Sequence, residues 1–125
     1  MLGDHPIYPV FLSTDLAAAR EFYHGRLGLE IISESPSSID FRSGPTRFNV
    51  NLSATGTADT QTKAGWEVED LRAELDELRG RGVAIQDYDL PGLRTVDGIF
   101  DAGFALIAWI VDPGGNALGI LQRKR

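Results

Sequence analysis

The tightest constraint on this chain is an internal repeat. A shift of 55 residues lays Asp70-Leu71 on Asp15-Leu16 and Lys63 on Tyr8, and a one-residue difference in helix length brings GVAI (82–85) onto GLEI (28–31). Within each copy the order is strand, helix, then three strands. One such βαβββ unit cannot bury both its helix and its sheet edges alone, so two copies must share a core. The expected class is α+β, a single domain over 1–125 built of modules at about 6–53 and 63–123. The polar run ATGTADTQT between them is a module boundary, because half of a 125-residue chain is too small to stand by itself.

Periodicity places the elements. In DLAAAREFYHGRLG, Leu16, Ala19, Tyr23 and Leu27 form one helical stripe, with Ser13 or Thr14 as cap and Gly28 as terminator. In DLRAELDELRGRG, Leu71, Leu75 and Leu78 form the second. Strands are expected at 8–13, 29–34, 38–43, 46–53, 63–68, 83–88, 104–111 and 116–122. The DPGGN turn before the last strand is complete turn chemistry: Pro113 presets φ, Gly114 and Gly115 permit positive φ, and Asp112 and Asn116 bond nearby backbone.

Taken together, STDLAAAREFYHGRLGLEI (13–31), WEVEDLRAELDELRGRGV (66–83) and DPGGNALGILQ (112–122) resemble the glyoxalase/bleomycin-resistance/dioxygenase superfamily, also called the vicinal oxygen chelate fold. The resemblance covers essentially the whole chain. It implies two βαβββ modules forming a curled mixed sheet around a ligand cleft, usually in a homodimer. In enzymes of that family a divalent metal sits in the cleft on His and Glu side chains, typically from the first and last strands of each module.

Transferred to this sequence, the first-strand ligand position seven residues before the helix-opening Asp falls on Tyr8, and on Lys63 in the second module. The last-strand position after DP.GN is Gly119, and its counterpart is Asn49 or Asn51. Lysine cannot ligate without losing a proton, glycine offers nothing and amide oxygens are weak ligands for a transition metal. No metal and no cofactor are therefore expected, and no residue is assigned a catalytic role. His5 falls on the opposite strand face from Tyr8, and His24 belongs to the helix end, where the dipole accounts for it.

Alternation gives the cleft side of each strand: Tyr8, Val10 and Leu12; Asn49 and Asn51; Lys63, Gly65 and Glu67; Ile107, Trp109 and Val111; Ala117, Gly119 and Leu121. From these, Tyr8, Asn49, Asn51, Lys63, Glu67, Trp109 and Gly119 are the candidate ligand-binding residues. Two readings of Gly119 stay open, room for a ligand against the backbone or drift in a strand whose ancestral task has lapsed. Trp109 likewise fits stacking on a planar or cationic ligand, or a core or dimer-interface tryptophan. Trp66 has core parity and is expected beneath the second helix. Lys63 and Glu67 are expected as a rim pair, salt-bridged or solvated. Asp40 and Arg42 share a face that serves either the cleft mouth or solvent.

Composition narrows the classes. Twelve Lys and Arg against eighteen Asp and Glu give a net charge of −6, which disfavours nucleic acid and favours a cation if the ligand is charged. There is no cysteine, so neither a disulfide nor a thiolate zinc site is available. No stretch approaches a membrane span, and the chain is expected to be cytoplasmic. No G-x-S-x-G elbow or phosphate loop occurs. The leading expectation is a metal-free protein of bleomycin-resistance character that sequesters a small aromatic or cationic drug-like compound. The alternative is a glyoxalase-like lyase, isomerase or dioxygenase with an unconventional metal site, and a third class is an interaction module with a vestigial cleft.

Overall fold

The computed structural model describes residues 1–57 and 60–124. A short 3-10 turn, Leu2–Asp4, precedes β1 (Val10–Ser13). Helix α1 (Leu16–Arg20) continues as a π-helical segment, Glu21–Arg26, and leads to β2 (Glu30–Ser35), β3 (Ser38–Ser43) and β4 (Thr46–Leu52). The second half runs β5 (Thr62–Glu67), α2 (Leu71–Gly80), a small hairpin of β6 (Asp89–Leu90) and β7 (Leu93–Arg94), then β8 (Phe100–Asp101), β9 (Ala105–Val111) and β10 (Ala117–Arg123).

The strands form two open four-stranded mixed sheets, β1-β4-β3-β2 and β5-β10-β9-β8, beside the two-stranded hairpin. In each sheet the first and last strands of the module pair in parallel, β1 with β4 and β5 with β10, and the remaining pairs are antiparallel. This is the mixed α+β architecture that the repeat requires.

The repeat extends to backbone angles at the helix starts. Asp15 (φ −143, ψ 100) and Asp70 (φ −138, ψ 96) each accept a bond from the backbone N–H three residues on, Ala18 at 3.1 Å and Ala73 at 3.2 Å. The expected caps, Ser13 or Thr14, are thereby corrected to Asp15. An aspartate side chain is short enough to reach that orphan N–H, and its charge suits the positive end of the helix dipole. Ser13 instead braces the cap, its hydroxyl accepting from Asp15 N and donating to Asp15 O. In the π segment Leu27 N donates to Phe22 O at 2.9 Å, a five-residue step, and the adjacent Phe22 and Tyr23 are both buried. Gly28, at φ 75, ends the helix in the left-handed region open to glycine.

The inward face of the first sheet carries Phe11, Ile39, Phe41, Phe48 and Val50. The second contributes Ala108, Ile110, Leu118 and Ile120, and Leu71 and Leu75 of α2 complete one continuous core. Tyr23 is the aromatic centre, its ring 5.0 Å from those of Phe22 and Phe48 and 5.2 Å from Phe41. Replacing such a buried side chain by alanine costs about 3–5 kcal/mol.

Two strand expectations need correction. Tyr8 precedes β1, whose pairing begins at Val10 opposite Asn49. The strand expected over 83–88 is irregular, and the edge position beside β9 falls to β8. The cause lies in polar groups that the alternation does not reveal. Tyr88 exchanges backbone and side-chain bonds with Thr95, and the Asp87 carboxylate accepts from Thr95 Oγ1 and Gly98 N. Only Gln86 N bonds β9, at Trp109 O.

Candidate functional site

Among the described residues both helices contribute to the shared core, and the seven candidate residues divide between the two sheets. Asn49 and Asn51 belong to the first sheet, and Tyr8 lies just ahead of its β1. Lys63, Glu67, Trp109 and Gly119 belong to the second. The strand parity holds on β1, β4 and β9, where the intervening Phe11, Phe48, Val50, Ala108 and Ile110 are buried, but on β10 the expected cleft-side Ala117 and Gly119 are buried together with Leu118 and Ile120.

On the first sheet Asn49 Nδ2 donates to Asp40 Oδ1 at 2.6 Å, and Ser33 Oγ donates to the other carboxylate oxygen at 2.9 Å. The bond from Asn49 foremost holds the Asp40 carboxyl below its ordinary range, against an opposing effect of burial, with Ser33 and then Arg47 adding lesser contributions. The Asn49 Oδ1 is buried without a partner. Tyr8 is half-exposed, its ring 4.7 Å below the Arg47 guanidinium. Asn51 stands opposite Leu12 and Ser38.

On the second sheet, register places Gly119 between Gly65 of β5 and Trp109 of β9. The absent side chain at 119 has a definite replacement. A Cβ built there would lie 3.4 Å from Thr62 Cγ2 and 3.8 Å from Trp109 Nε1, and that same indole N–H donates to Thr62 Oγ1 at 3.0 Å. Trp109 and Thr62 thus lie over Gly119. Gly65 is required by a closer approach, since a Cβ there would come 2.9 Å from Gly119 O. Tyr88 meets Trp109 edge-on at 5.5 Å and Phe100 lies 6.2 Å away, so three aromatic rings gather on this face. Glu67 Oε1 takes Arg123 Nε as an ion-pair partner at 2.7 Å.

Trp66 lies inward as its parity requires, in an apolar groove with Leu78 of α2, but its indole N–H reaches the other module and donates to Ser43 Oγ at 2.9 Å. Sequence reasoning did not find Tyr88 and Phe100, because their segments read as a continuous strand and a loop. It also passed over Arg47, although the RSGPTR run around Gly44-Pro45 is nearly symmetric and sets Arg47 opposite Arg42.

A divalent transition metal of the family type does not fit these donors. Tyr8, Asn49 or Asn51, Lys63 and Gly119 supply a phenol, an amide, an ammonium and no side chain. Among the described residues no three His, Cys, Asp or Glu side chains converge as a metal site. The His24 ring is engaged, with Nδ1 2.8 Å from Leu29 O. Among the described residues no helix is long and apolar enough to cross a membrane.

Solved structures share this architecture. A glyoxalase/bleomycin resistance protein/dioxygenase from Alicyclobacillus acidocaldarius superposes with a TM-score of 0.71 at 18% identity, covering 98% of this chain and 93% of its own. A bleomycin-binding protein complexed with bleomycin gives 0.70 at 19% identity, with 96% and 99% covered. A lactoylglutathione lyase from Agrobacterium tumefaciens gives 0.64 at 21% identity, with 94% and 92% covered. No curated protein matches in sequence. The model of the Glyoxalase/Bleomycin resistance protein/Dioxygenase superfamily matches residues 7–120, nearly the whole repeat, and the chain belongs to that superfamily.

Proposed function

We propose that this chain is a metal-free binding protein that sequesters a small aromatic or cationic compound without altering it, acting in the cytoplasm as a homodimer. The observation that carries the reading is the replacement at Gly119. The last-strand position at which family enzymes present a carboxylate is covered by the Trp109 indole and the Thr62 methyl. Beside it, Trp109, Tyr88 and Phe100 form an aromatic surface. Such rings offer stacking to a planar body and quadrupole attraction to a cation, and the net charge of −6 adds a favourable field for the latter. The bleomycin-binding neighbour supports the reading at the level of fold. Val10, Leu12 and Val111 remain over a third exposed on the outward faces, which supports burial of those faces against a second copy.

The test is elemental analysis of purified protein, paired with thermal-shift titration of Zn²⁺, Ni²⁺, Mn²⁺ and Fe²⁺. The expected result is no bound metal and no stabilisation. Stoichiometric metal with stabilisation by the same ion would overturn the reading. A ligand screen on a Trp66→Phe variant then reports through Trp109 emission alone. Sedimentation velocity checks the dimer.

A further inference from the structure

The tight turn at Gly44-Pro45 sets Arg42 on β3 directly opposite Arg47 on β4, and both stand on the outward face of the first sheet. Like charges facing each other across two strands repel, a cost that a chain is not obliged to carry. Their compensation is incomplete. Arg42 Nε lies 3.3 Å from Glu30 Oε2 and Arg47 Nη1 lies 3.7 Å from Asp40 Oδ2, and among the described residues no hydrogen bond fills either guanidinium. Asp40 gives its short contacts to Asn49 and Ser33, and the charge of Arg47 has the least influence on its carboxyl.

Arg47 is held instead by the Tyr8 ring, 4.7 Å beneath it. Pro6, Ile7, Ile32 and Pro45 join Tyr8 and the two arginines around a groove of about 270 Å³. Two planar forks with unfilled donors therefore stand at an apolar groove with one aromatic wall. A guanidinium pair matches the paired oxygens of a carboxylate or phosphate, and an aromatic body gains stacking against the tyrosine.

We propose that this groove binds a small aromatic oxyanion, its carboxylate or phosphate on Arg42 and Arg47 and its ring against Tyr8. The site is distinct in sheet and in charge preference from the Trp109 surface, and it stands whether or not that surface sequesters a ligand.

The experiment titrates benzoate and phenyl phosphate into the full chain, with benzylamine and inorganic phosphate as controls, and follows the Tyr8 ring and arginine Nε–Hε resonances by NMR. Saturable shifts at Tyr8, Arg42 and Arg47 are expected with benzoate and phenyl phosphate, weakening as salt is raised, and none with benzylamine. Arg42→Gln and Arg47→Gln should each weaken binding about tenfold or more, the loss of a charged hydrogen-bonding partner. Arg47→Lys keeps the charge and the fold and should still weaken it, because the fork is lost. Absence of saturation at millimolar probe, or affinity unchanged in all three variants, would overturn the site. Inorganic phosphate binding as tightly as phenyl phosphate would overturn the aromatic specificity. A benzylamine response at Trp109 alone would support the separate reading of the second sheet and leave the first sheet decided by the benzoate titration.

Discussion

The Tyr23 hydroxyl donates to Asp112 Oδ2 at 2.5 Å, joining the first module's helix to the second module's last turn across 89 residues of chain. Asp112 also accepts from Gly114 N, Asn116 N and Asn116 Nδ2, and that same amide donates to Leu12 O at 3.0 Å. Tyr23, Asp112 and Asn116 are all buried. Tyr23→Phe deletes one donor and leaves a carboxylate under-bonded. It should lower stability by about 1–3 kcal/mol in urea unfolding without changing the m-value.

The same phenol predicts an alkaline response. Burial first, then the Asp112 charge and hydrogen bond, raise the Tyr23 pKa far above its ordinary value of 10.0. A raised folded-state pKa contributes stability that is complete below the unfolded value and is lost as pH rises past it toward the folded one. Stability should therefore fall above about pH 10, by up to ~1.4 kcal/mol per pH unit for this proton. Tyr23→Phe should flatten that slope, as measured by denaturation at stepped pH.

For Asp40 the direction is opposite. Its carboxyl is held low chiefly by the bond from Asn49. Asn49→Ala should move its NMR titration midpoint upward, and Ser33→Ala should do so by less. Equal shifts from the two substitutions would contradict that ranking.

The two helix caps offer a test of the repeat itself. Asp15 and Asp70 share one geometry, so Asp15→Ala and Asp70→Ala should each cost ~1 kcal/mol, and their effects should add in the double variant. Thermal or urea unfolding of the four proteins measures both points.

At the paired glycines the expected costs differ. Gly65→Ala forces a Cβ to 2.9 Å from Gly119 O, a backbone atom that cannot swing aside, and should cost about 1–3 kcal/mol. Gly119→Ala meets only side chains at 3.4 Å or more and should be milder. Gly119→Glu must displace Trp109, which should shift tryptophan emission to the red. It should not confer metal binding, because Tyr8 and Lys63 remain in place.

The repeat was legible because its carriers are local. Asp15 and Asp70 cap helices within three residues, and the stripe Leu71, Leu75, Leu78 depends only on helical period. Alternation likewise separated Asn49 and Asn51 from Phe48 and Val50. The misses involve partners distant in sequence. Nothing in VAIQDY announces that Thr95 will claim the backbone of Tyr88, and nothing around Glu67 announces Arg123, 56 residues on. The candidate site was legible to the extent that strand parity defines it. The indole lying over Gly119 depends on a side-chain rotamer and on Thr62, which no periodicity encodes.

Parallel pairing of β1 with β4 and of β5 with β10 has a consequence for inheritance. It makes the first and last strands of each half neighbours, so each half holds the whole register of its own sheet. A gene broken between residues 53 and 62 would encode two fragments, each carrying the strands of one four-stranded sheet but only part of the shared core. Their recombination would depend on that shared core and on matched groups across it, Tyr23 with Asp112, the Leu12 carbonyl with Asn116 and Ser43 with Trp66. The side chains of Tyr23, Asp112, Asn116, Ser43 and Trp66 mark where one half meets the other, whereas Leu12 contributes only a backbone carbonyl that any residue would supply.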